Sequence, residues 1–275
     1  MKKRILIVGS SGFLGKIFSK ELNLSFSILK THIKGKKKLD LAHKKKLYKF
    51  IDKKKVYLVL NLAGGQHALK KKNFITENLN LIKICNKNKV KIIFFSTSLV
   101  YSSSSKLSNE KSAIKSFNKY TKNKILLENL YKKLSLDYKI IRLSNVYDND
   151  FSKSGIFYNI KKNINLNKSI YFNDIDIVRN YIHTKDVVNL LKKLLFNYEN
   201  IKEKVFNFGN ENLSIFKILK LFEKIYKKKI DYKINKIKKY DPSIKVNNSL
   251  AKKVLKYNNR FTLQNTIIYS KKNSR

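Results

Sequence analysis

The sequence predicts an α/β fold, in which a doubly wound parallel sheet is followed by a small C-terminal lobe whose segments interleave with it. Short apolar runs, typical of buried parallel strands, alternate with helix-like segments through the first half of the 275 residues. Beyond residue 147 this alternation loosens, and no linker-like stretch separates the two halves. We therefore predict a first domain of residues 1–150 and a lobe of residues 151–275.

The chain opens with an apolar strand that ends in regularly spaced glycines. In RILIVGSSGFLG, the apolar residues 5–8 precede Gly9, Gly12 and Gly15, and residues 16–22 can continue as a helix. Gly9 would permit a tight turn, Gly12 the close approach of a pyrophosphate, and Gly15 the packing of helix against strand. Such a strand–turn–helix unit directs backbone N–H groups and a helix N-terminus at a diphosphate, as in Rossmann-type folds.

The other elements of the first half follow from apolar runs and helical periodicity. Residues 56–64, VYLVLNLAG, form an almost unbroken apolar run, which predicts a fully buried parallel strand. Further strands are predicted at residues 26–30, 91–98 and 138–143, with a short extended piece ending at residues 39–41. Helices are predicted at residues 44–51, 72–86 and 118–134, and a serine-rich loop at residues 102–116.

The second half shows weaker patterns. Helices are predicted near residues 155–165, 185–197 and 215–226, and short strands at residues 169–172, 180–183 and 205–208. No internal repeat is visible, and residues 271–275 are expected to fray.

The composition is dominated by a formal net charge of +44. Such a charge fits a nucleic-acid partner or an anionic membrane surface. The lysines are nevertheless spread along the whole chain, and arginine, on which bidentate recognition of phosphates and bases relies, is scarce. An AT-rich coding sequence would give the same bias and would also enrich Asn and Ile. We therefore favour the compositional explanation and predict no specific nucleic-acid partner.

The single cysteine and the hydropathy of the sequence indicate the cellular compartment that we expect for the protein. Cys85 is the single cysteine, which excludes an internal disulfide and fits a reducing compartment, and its apolar context predicts a buried thiol. The apolar run that follows the first four residues is too short for a signal peptide, and no stretch reaches the roughly 18 apolar residues of a membrane span. We expect a cytoplasmic protein without a membrane span. His32 and His67 lack ligand-like spacing, so no metal site is predicted.

Hydroxyl, phenol and ammonium groups form the most suggestive chemical pattern. Thr97 stands at the end of the strand KIIFFSTS, where side chains face the ligand crevice of a parallel sheet. Tyr120 and Lys124 follow with the four-residue spacing that places both on one face of a helix. A neighbouring cation favours the phenolate, so we expect the pKa of Tyr120 to fall below its usual value of about 10. In a chain so rich in Tyr and Lys the spacing also arises by chance, but its order after the glycine turn favours function.

Together these motifs resemble the extended short-chain dehydrogenase/reductases, the sugar-nucleotide epimerase/dehydratase family, nearly end to end. GSSGFLG is similar to the family's glycine fingerprint, LAG at residues 62–64 to the segment that passes the cofactor phosphates, and Asp40 to the acidic residue that contacts adenine. The resemblance implies that the NAD(P)-binding residues are Gly9, Ser11, Gly12, Phe13, Leu14, Gly15, Lys30, Asp40, Leu41, Leu62, Ala63, Gly64, Tyr120 and Lys124.

The resemblance also assigns catalytic and substrate residues. STSLVY and YTKNK are similar to the family's catalytic segments, which makes Thr97, Tyr120 and Lys124 the catalytic residues. RLSNVY and RNYIHTKDVV resemble the family's substrate segments, so the resemblance implies that a nucleotide-sugar substrate contacts Ser98, Asn145 and Arg179. His183 we interpret as a packed structural histidine. The resemblance leaves a homodimer open as the assembly.

Departures from the family pattern reduce the number of reactions that we expect. The 4,6-dehydratases carry an aspartate and a glutamate where this chain has Ser98 and Leu99, and the expulsion of water needs such an acid. We therefore expect an NAD(P)-dependent epimerase or reductase acting on a nucleotide-linked sugar, with a trimmed substrate lobe. Two alternatives stay open: a cofactor-binding scaffold or sensor without turnover, and a basic nucleic-acid-binding protein.

The end of the second strand bears on the choice of cofactor. A carboxylate there would bind the adenosine ribose and repel a 2′-phosphate. The candidate positions are Lys30, Thr31 and His32, with Lys34 just beyond, and no acid occurs from residue 26 to residue 39. The sequence therefore favours NADP slightly over NAD.

Overall fold

The structure, a computed structural model, describes residues 2–31, 39, 41–64, 73–102, 106–151, 155–235 and 242–273. By its internal contacts the chain divides into two units. The first comprises Met1–Val100, Ile114–Leu143 and Leu194–Phe206, and the second comprises Tyr101–Ala113, Ser144–Lys193 and Asn207–Arg275. The division of the chain into a cofactor domain and a substrate lobe concerns ligands and stays a prediction.

The first unit is built around the predicted parallel sheet. Its strands are β1 (Arg4–Val8), β2 (Ser27–Lys30), β3 (Leu58–Asn61), β4 (Lys91–Thr97) and β5 (Tyr138–Leu143), and β9 (Val205–Phe208) completes the sheet. The strand order is β2-β1-β3-β4-β5-β9, and β1 to β5 pair in parallel. In the described part of this unit the helices before β5 are α1 (Phe13–Glu21), α2 (Lys44–Lys53), α3 (Phe74–Lys87) and α4 (Lys119–Leu134). The doubly wound α/β fold is confirmed.

The core of the first unit explains why the apolar runs form strands. Leu6, Val59, Ile92, Phe94 and Ile140 from the sheet are buried together with apolar side chains of α2, α3 and α4. Because helices cover the sheet, its strands are apolar on both faces rather than alternating. The predicted core thiol, Cys85 on α3, is buried in this cluster.

The first turn shows why two of the glycines are required. Gly9 has a φ of +84°, a conformation that L side chains rarely adopt, and its carbonyl accepts a hydrogen bond from Gly12 N at 3.1 Å. A Cβ on Gly15 would lie 2.2 Å from the Gly9 oxygen, so any side chain there would push α1 away from the turn. The helix begins at Phe13, three residues before the predicted start, because the chain turns directly into it after Gly12.

Among its described residues, the second unit contains two small sheets and most of the remaining helices. Strands β6 (Asn145–Tyr147), β8 (Val178–His183) and β10 (Glu211–Ser214) form one sheet, in which β8 lies between the other two. Strands β7 (Ile170–Phe172) and β11 (Tyr232–Ile234) pair in parallel. The helices are α5 (Ile156–Leu166), α6 (Thr184–Phe196), α7 (Ile215–Tyr226), α8 (Ser249–Leu255) and α9 (Leu263–Lys272), of which α6 ends in residues of the first unit.

Aromatic side chains dominate the core of the second unit. Tyr147, Phe151 and Phe157 contact one another, and Phe151 also packs on Phe222 of α7. The sequence did not predict β6, β10, β11, α8 or α9. These segments are short or polar, and their pairing depends on residues distant in sequence. Among the described residues, no helix combines the length and apolarity that crossing a bilayer demands.

Candidate functional site

The first unit contains a cleft of about 610 Å³ at the carboxyl ends of its central strands. Its walls come from the glycine turn, the segment after β3, the end of β4 and the first turns of α4. Many of the residues predicted to bind a cofactor line it: Gly9, Ser11, Gly12, Phe13, Leu14, Gly15, Leu41, Leu62, Ala63, Gly64, Tyr120 and Lys124. The side of the sheet at which these residues meet is the one expected for a ligand of a doubly wound fold.

The N-terminus of α1 fits an anionic group. Gly12 is the N-cap and supplies no side-chain hydrogen bond to the first turn, and that turn contains no acidic residue. A Cβ on Gly12 would meet only the Gly9 oxygen, at 3.4 Å, so the backbone on this side is open to close approach. The unpaired N–H groups and the helix dipole together favour a phosphate at this place.

Behind the cleft, a buried hydrogen-bond network holds the segment that follows β3. Asn61 accepts a hydrogen bond from Ala63 N at 3.1 Å through Oδ1, while its Nδ2 donates to Asn78 Oδ1 at 2.7 Å and to Tyr131 Oη at 2.8 Å. Gly64 then adopts a φ of +118°. A Cβ there would lie 2.7 Å from Phe74 Cζ and 3.0 Å from Lys124 Nζ. The cleft is therefore closely packed at Gly64, and a side chain there would have to displace Phe74 and Lys124.

The three predicted catalytic residues lie together. Asn118 and Thr121 form a capping box that starts α4, which places Tyr120 and Lys124 in its first two turns. The Thr97 hydroxyl hydrogen-bonds to Tyr120. Lys124 Nζ lies 5.9 Å from the centre of the Tyr120 ring and donates to the Phe95 carbonyl at 2.7 Å.

Burial has the largest effect on the pKa values of Tyr120 and Lys124. The expectation of a lowered Tyr120 pKa is wrong for this structure: burial raises the pKa of the phenol, and the hydrogen bond from Thr97 only partly opposes it. The prediction considered the neighbouring cation and left desolvation out. Lys124 is 4% exposed, and burial lowers its pKa to about 7, against the opposing effect of the Glu128 carboxylate. The ammonium group can therefore lose its proton near neutral pH.

A buried ion pair lies one turn further along α4. Arg142 of β5 contacts both carboxylate oxygens of Glu128, with Nη2 2.7 Å from Oε2 and Nε 3.1 Å from Oε1. Ser96 donates to Glu128 Oε1 at 2.6 Å. Such a doubly hydrogen-bonded pair compensates the desolvation of both charges.

The second unit has a smaller cleft of about 250 Å³, lined by two of the predicted substrate residues, Asn145 and Arg179. Asn145 Nδ2 donates to the Asn180 carbonyl at 3.1 Å. Arg179 Nη1 donates to the carbonyls of Val178, at 3.1 Å, and of Pro242. These backbone contacts orient the guanidinium beside a mainly aromatic wall that includes Tyr147, Phe151 and Tyr181.

His183 occupies a packed position, as the sequence suggested. Its Nδ1 accepts from Lys185 N at 3.2 Å, so Nε2 carries the proton that bonds to Asn149 Oδ1 at 2.9 Å. Its ring stacks on Phe261, and burial together with Lys185 lowers its pKa to about 4. The imidazole is thus neutral and fully hydrogen-bonded at physiological pH.

Some predicted site residues lie elsewhere. Lys30 is exposed at the end of β2 and does not line the cleft, whereas the next residue, Thr31, does, because successive strand residues face opposite sides. Ser98 is buried in a 3₁₀ turn, Ser98–Val100, and lines neither cleft. Asp40, His32 and Lys34 fall outside the described residues.

The sequence analysis did not assign several other lining residues to the site: Val8, Phe74, Glu77, Phe95 and Leu143. Thr31 and Ser96, at the strand ends that it did consider, line the cleft as well. Most of these stand at strand ends or at the start of α3. Their position next to a predicted strand end was the available signal. Which of them face the cleft depends on how the helices pack against the sheet.

Comparison with protein families gives one result over most of the chain. A family model described as the NAD dependent epimerase/dehydratase family matches residues 5–209. No curated protein shows a significant sequence match to the chain.

Comparison with solved structures gives similar folds at low identity. A dTDP-glucose 4,6-dehydratase from Bacillus anthracis in complex with NAD aligns with a TM-score of 0.83 and 17% identity, over 98% of this chain and 95% of that one. A UDP-glucuronic acid 4-epimerase from Bacillus cereus, with UDP-glucuronic acid and NAD, aligns at 0.81 and 22%, over 99% and 100%. A UDP-glucose 4-epimerase from Thermotoga maritima, with UDP-glucose, aligns at 0.78 and 20%, also over 99% and 100%.

Proposed function

Because the chain belongs to the NAD dependent epimerase/dehydratase family, we propose that it is an NAD(P)-dependent epimerase or reductase acting on a nucleotide-linked sugar. The observation that supports this most is that Tyr120 and Lys124 line the cleft that begins at the glycine turn, with the Thr97 hydroxyl hydrogen-bonded to Tyr120. A scaffold or sensor without turnover would have no need of this arrangement.

The cleft fits a dinucleotide. The uncapped N-terminus of α1 would hold the pyrophosphate, and the segment at Leu62, Ala63 and Gly64 would lie beside it. Lys124 would hydrogen-bond the nicotinamide ribose. When bound, the nicotinamide accepts a hydride from a sugar carbon or returns one to it.

The residues of the chain would move the proton that accompanies this transfer. Tyr120 would take the proton of the sugar hydroxyl or give it back, and Thr97 would hydrogen-bond the reacting oxygen. Because burial raises the pKa of Tyr120 in the protein alone, the phenolate needs a nearby positive charge to form. Lys124 provides that charge when it is protonated. Because its pKa is about 7, both its charged and its neutral form are populated near neutral pH.

The substrate residues complete the proposal. Arg179 would bind the diphosphate of the nucleotide sugar, because a guanidinium pairs with phosphate oxygens in a bidentate manner, and Asn145 lines the same cleft. The residue-level resemblance also named Ser98, whose burial argues for an indirect contribution through the turn it forms. The homodimer and the cytoplasmic location stay predictions.

We also infer a small preference for NADP(H). No acid occurs between residues 26 and 39 to repel a 2′-phosphate, and Lys30 provides an exposed cation at the end of β2. A charge-assisted hydrogen bond is worth about 1.5–3 kcal/mol, which corresponds to roughly tenfold or more in affinity. Two of the solved neighbours described above are complexes with NAD, and the inferred preference for NADP(H) rests on the residues of this chain alone.

A substrate panel tests the proposed function. The purified protein is loaded with NAD or NADP and incubated with UDP- and dTDP-linked hexoses and hexuronic acids, and the products are identified by NMR spectroscopy. We expect a stereoisomer or a reduced sugar from at least one of them. Tight cofactor binding without conversion of any member would favour the scaffold or sensor alternative.

A further inference from the structure

Three consecutive residues of β4 each hold one residue of α4. The Thr97 hydroxyl bonds to Tyr120, the Phe95 carbonyl accepts from Lys124 Nζ at 2.7 Å, and the Ser96 hydroxyl donates to Glu128 at 2.6 Å. The three helix residues are spaced by four, so they form one row along the face of α4 that lies on the sheet. Two members of this row belong to the proposed catalytic group, whereas Glu128 has no assigned role.

The Glu128 end of this row is held by a buried ion pair. The carboxylate is fully buried, and Arg142 of the neighbouring strand β5 contacts both of its oxygens. Lys132, at the next position of the row, adds a longer ion pair at 3.6 Å. Because charged hydrogen bonds are short and directional, this contact fixes both the height and the rotation of α4 on the sheet.

We propose that Glu128 is a positioning residue, which fixes α4 against β4 through Ser96 and Arg142 and stabilises the positive charge of Lys124 one helical turn away. The inference rests on the proposed function in so far as Tyr120 and Lys124 act in catalysis. It adds that their alignment depends on a carboxylate outside the cleft, since Glu128 does not line it.

Within the described part of the chain, Glu128 is the charged group that opposes the effect of burial on the pKa of Lys124. On α4 its ionisable neighbours in the row are Tyr120 and Glu128. From β4 it meets the Phe95 carbonyl and the Phe94 ring, and from the segment after β3 it meets Gly64. Glu77 of α3 lines the same cleft, and Arg142 of β5 stands on the far side of Glu128. Burial lowers the pKa of Lys124, and among these groups it is the Glu128 carboxylate that opposes the decrease.

The charge state of Lys124 can be followed without substrate or cofactor. Trace acetylation by acetic anhydride, read at Lys124 by mass spectrometry across a pH series, reports the fraction of free amine. In the wild-type protein we expect a midpoint near a pKa of about 7. In Glu128→Gln the midpoint should fall by about one pH unit, because the variant loses the carboxylate that favours the charged form of Lys124.

Glu128→Gln removes the carboxylate that pairs with the buried guanidinium of Arg142 and can prevent folding. We therefore include Glu128→Gln combined with Arg142→Gln, which removes both charges and should lower the midpoint as well. Ser96→Ala keeps the ion pair but removes one contact between α4 and β4. We expect it to leave the midpoint unchanged and to lower turnover at saturating cofactor several-fold. Glu77→Gln, which removes a carboxylate that lines the cleft, is the matched control and should leave the midpoint unchanged.

The outcomes distinguish the proposed role of Glu128 from the proposed function of the chain. The electrostatic role of Glu128 is overturned if both Glu128 variants have the wild-type acetylation midpoint. It is also overturned if Glu77→Gln lowers the midpoint as much as the Glu128 variants do. Wild-type turnover in Ser96→Ala overturns the positioning role. If the wild-type protein converts no nucleotide sugar, the proposed function fails, while the acetylation midpoints still decide how Glu128 acts on Lys124.

Discussion

The burial of Lys124 predicts a pH-dependent stability that can be measured on the protein alone. The pKa of Lys124 falls from 10.5 to about 7 on folding. Between these values the unfolded chain therefore binds one proton more than the folded protein, and the free energy of unfolding rises with pH. The slope for one proton is about 1.4 kcal/mol per pH unit, which gives roughly 2 kcal/mol of added stability from pH 7 to pH 9.

Lys124→Met removes this effect, because methionine retains much of the apolar stem and carries no proton. Denaturant unfolding followed by circular dichroism at pH 7, 8 and 9 gives the free energy of each protein. We expect the difference between variant and wild type, in favour of the variant, to shrink by about 2 kcal/mol over this range. Lys122→Met, at an exposed position of the same helix, is the matched control and should show a constant difference. A constant difference for Lys124→Met would refute the conclusion that a charge is buried there.

Three further predictions concern Gly64, the choice of cofactor and the net charge. Gly64→Ala should abolish cofactor binding, measured by nicotinamide fluorescence, because its Cβ would meet Phe74 and Lys124. Gly155→Ala is the control: this glycine is also at positive φ but has open space around it. We expect that variant to lose only about 1–3 kcal/mol of stability in denaturant unfolding and to bind the cofactor as the wild type does. Lys30→Ala should weaken NADPH binding roughly tenfold and NADH binding little, in a fluorescence titration; equal losses would remove the argument for NADP(H). Binding to random duplex DNA should be weak and vanish at moderate salt in an anisotropy titration, and a site-specific complex at physiological salt would contradict the compositional explanation of the +44 charge.

The first half of the fold could be predicted because its elements are coded locally. The strand at residues 138–143 was predicted to the residue, and the helix predicted from residue 118 begins one residue later, after its Asn118 cap. Long apolar runs and four-residue periodicity mark such elements without knowledge of their partners. The segment of residues 211–214, ENLS, has no such mark. It becomes strand β10 because it pairs with β8, more than 25 residues away.

The candidate site likewise combines features that are coded locally with features that depend on distant segments. The spacing of Tyr120 and Lys124 on one helix face is a local property, and the structure places both on the cleft. The titration of Tyr120 depends on burial between elements, and the sequence analysis predicted it in the wrong direction. The ion pair of Glu128 with Arg142, and the cleft position of Thr31 instead of Lys30, likewise follow from the packing of distant segments.

The central claim is that the chain turns over a nucleotide sugar with Tyr120 as the acid and base. Its most direct test compares Tyr120→Phe with the wild type on the substrate that the panel identifies. We expect cofactor affinity to remain within a few-fold, because only a hydroxyl is removed from a cleft of many contacts, and turnover to fall by about 10²–10⁴-fold. If Tyr120→Phe turns over the substrate as fast as the wild type, the assignment of the catalytic group is contradicted.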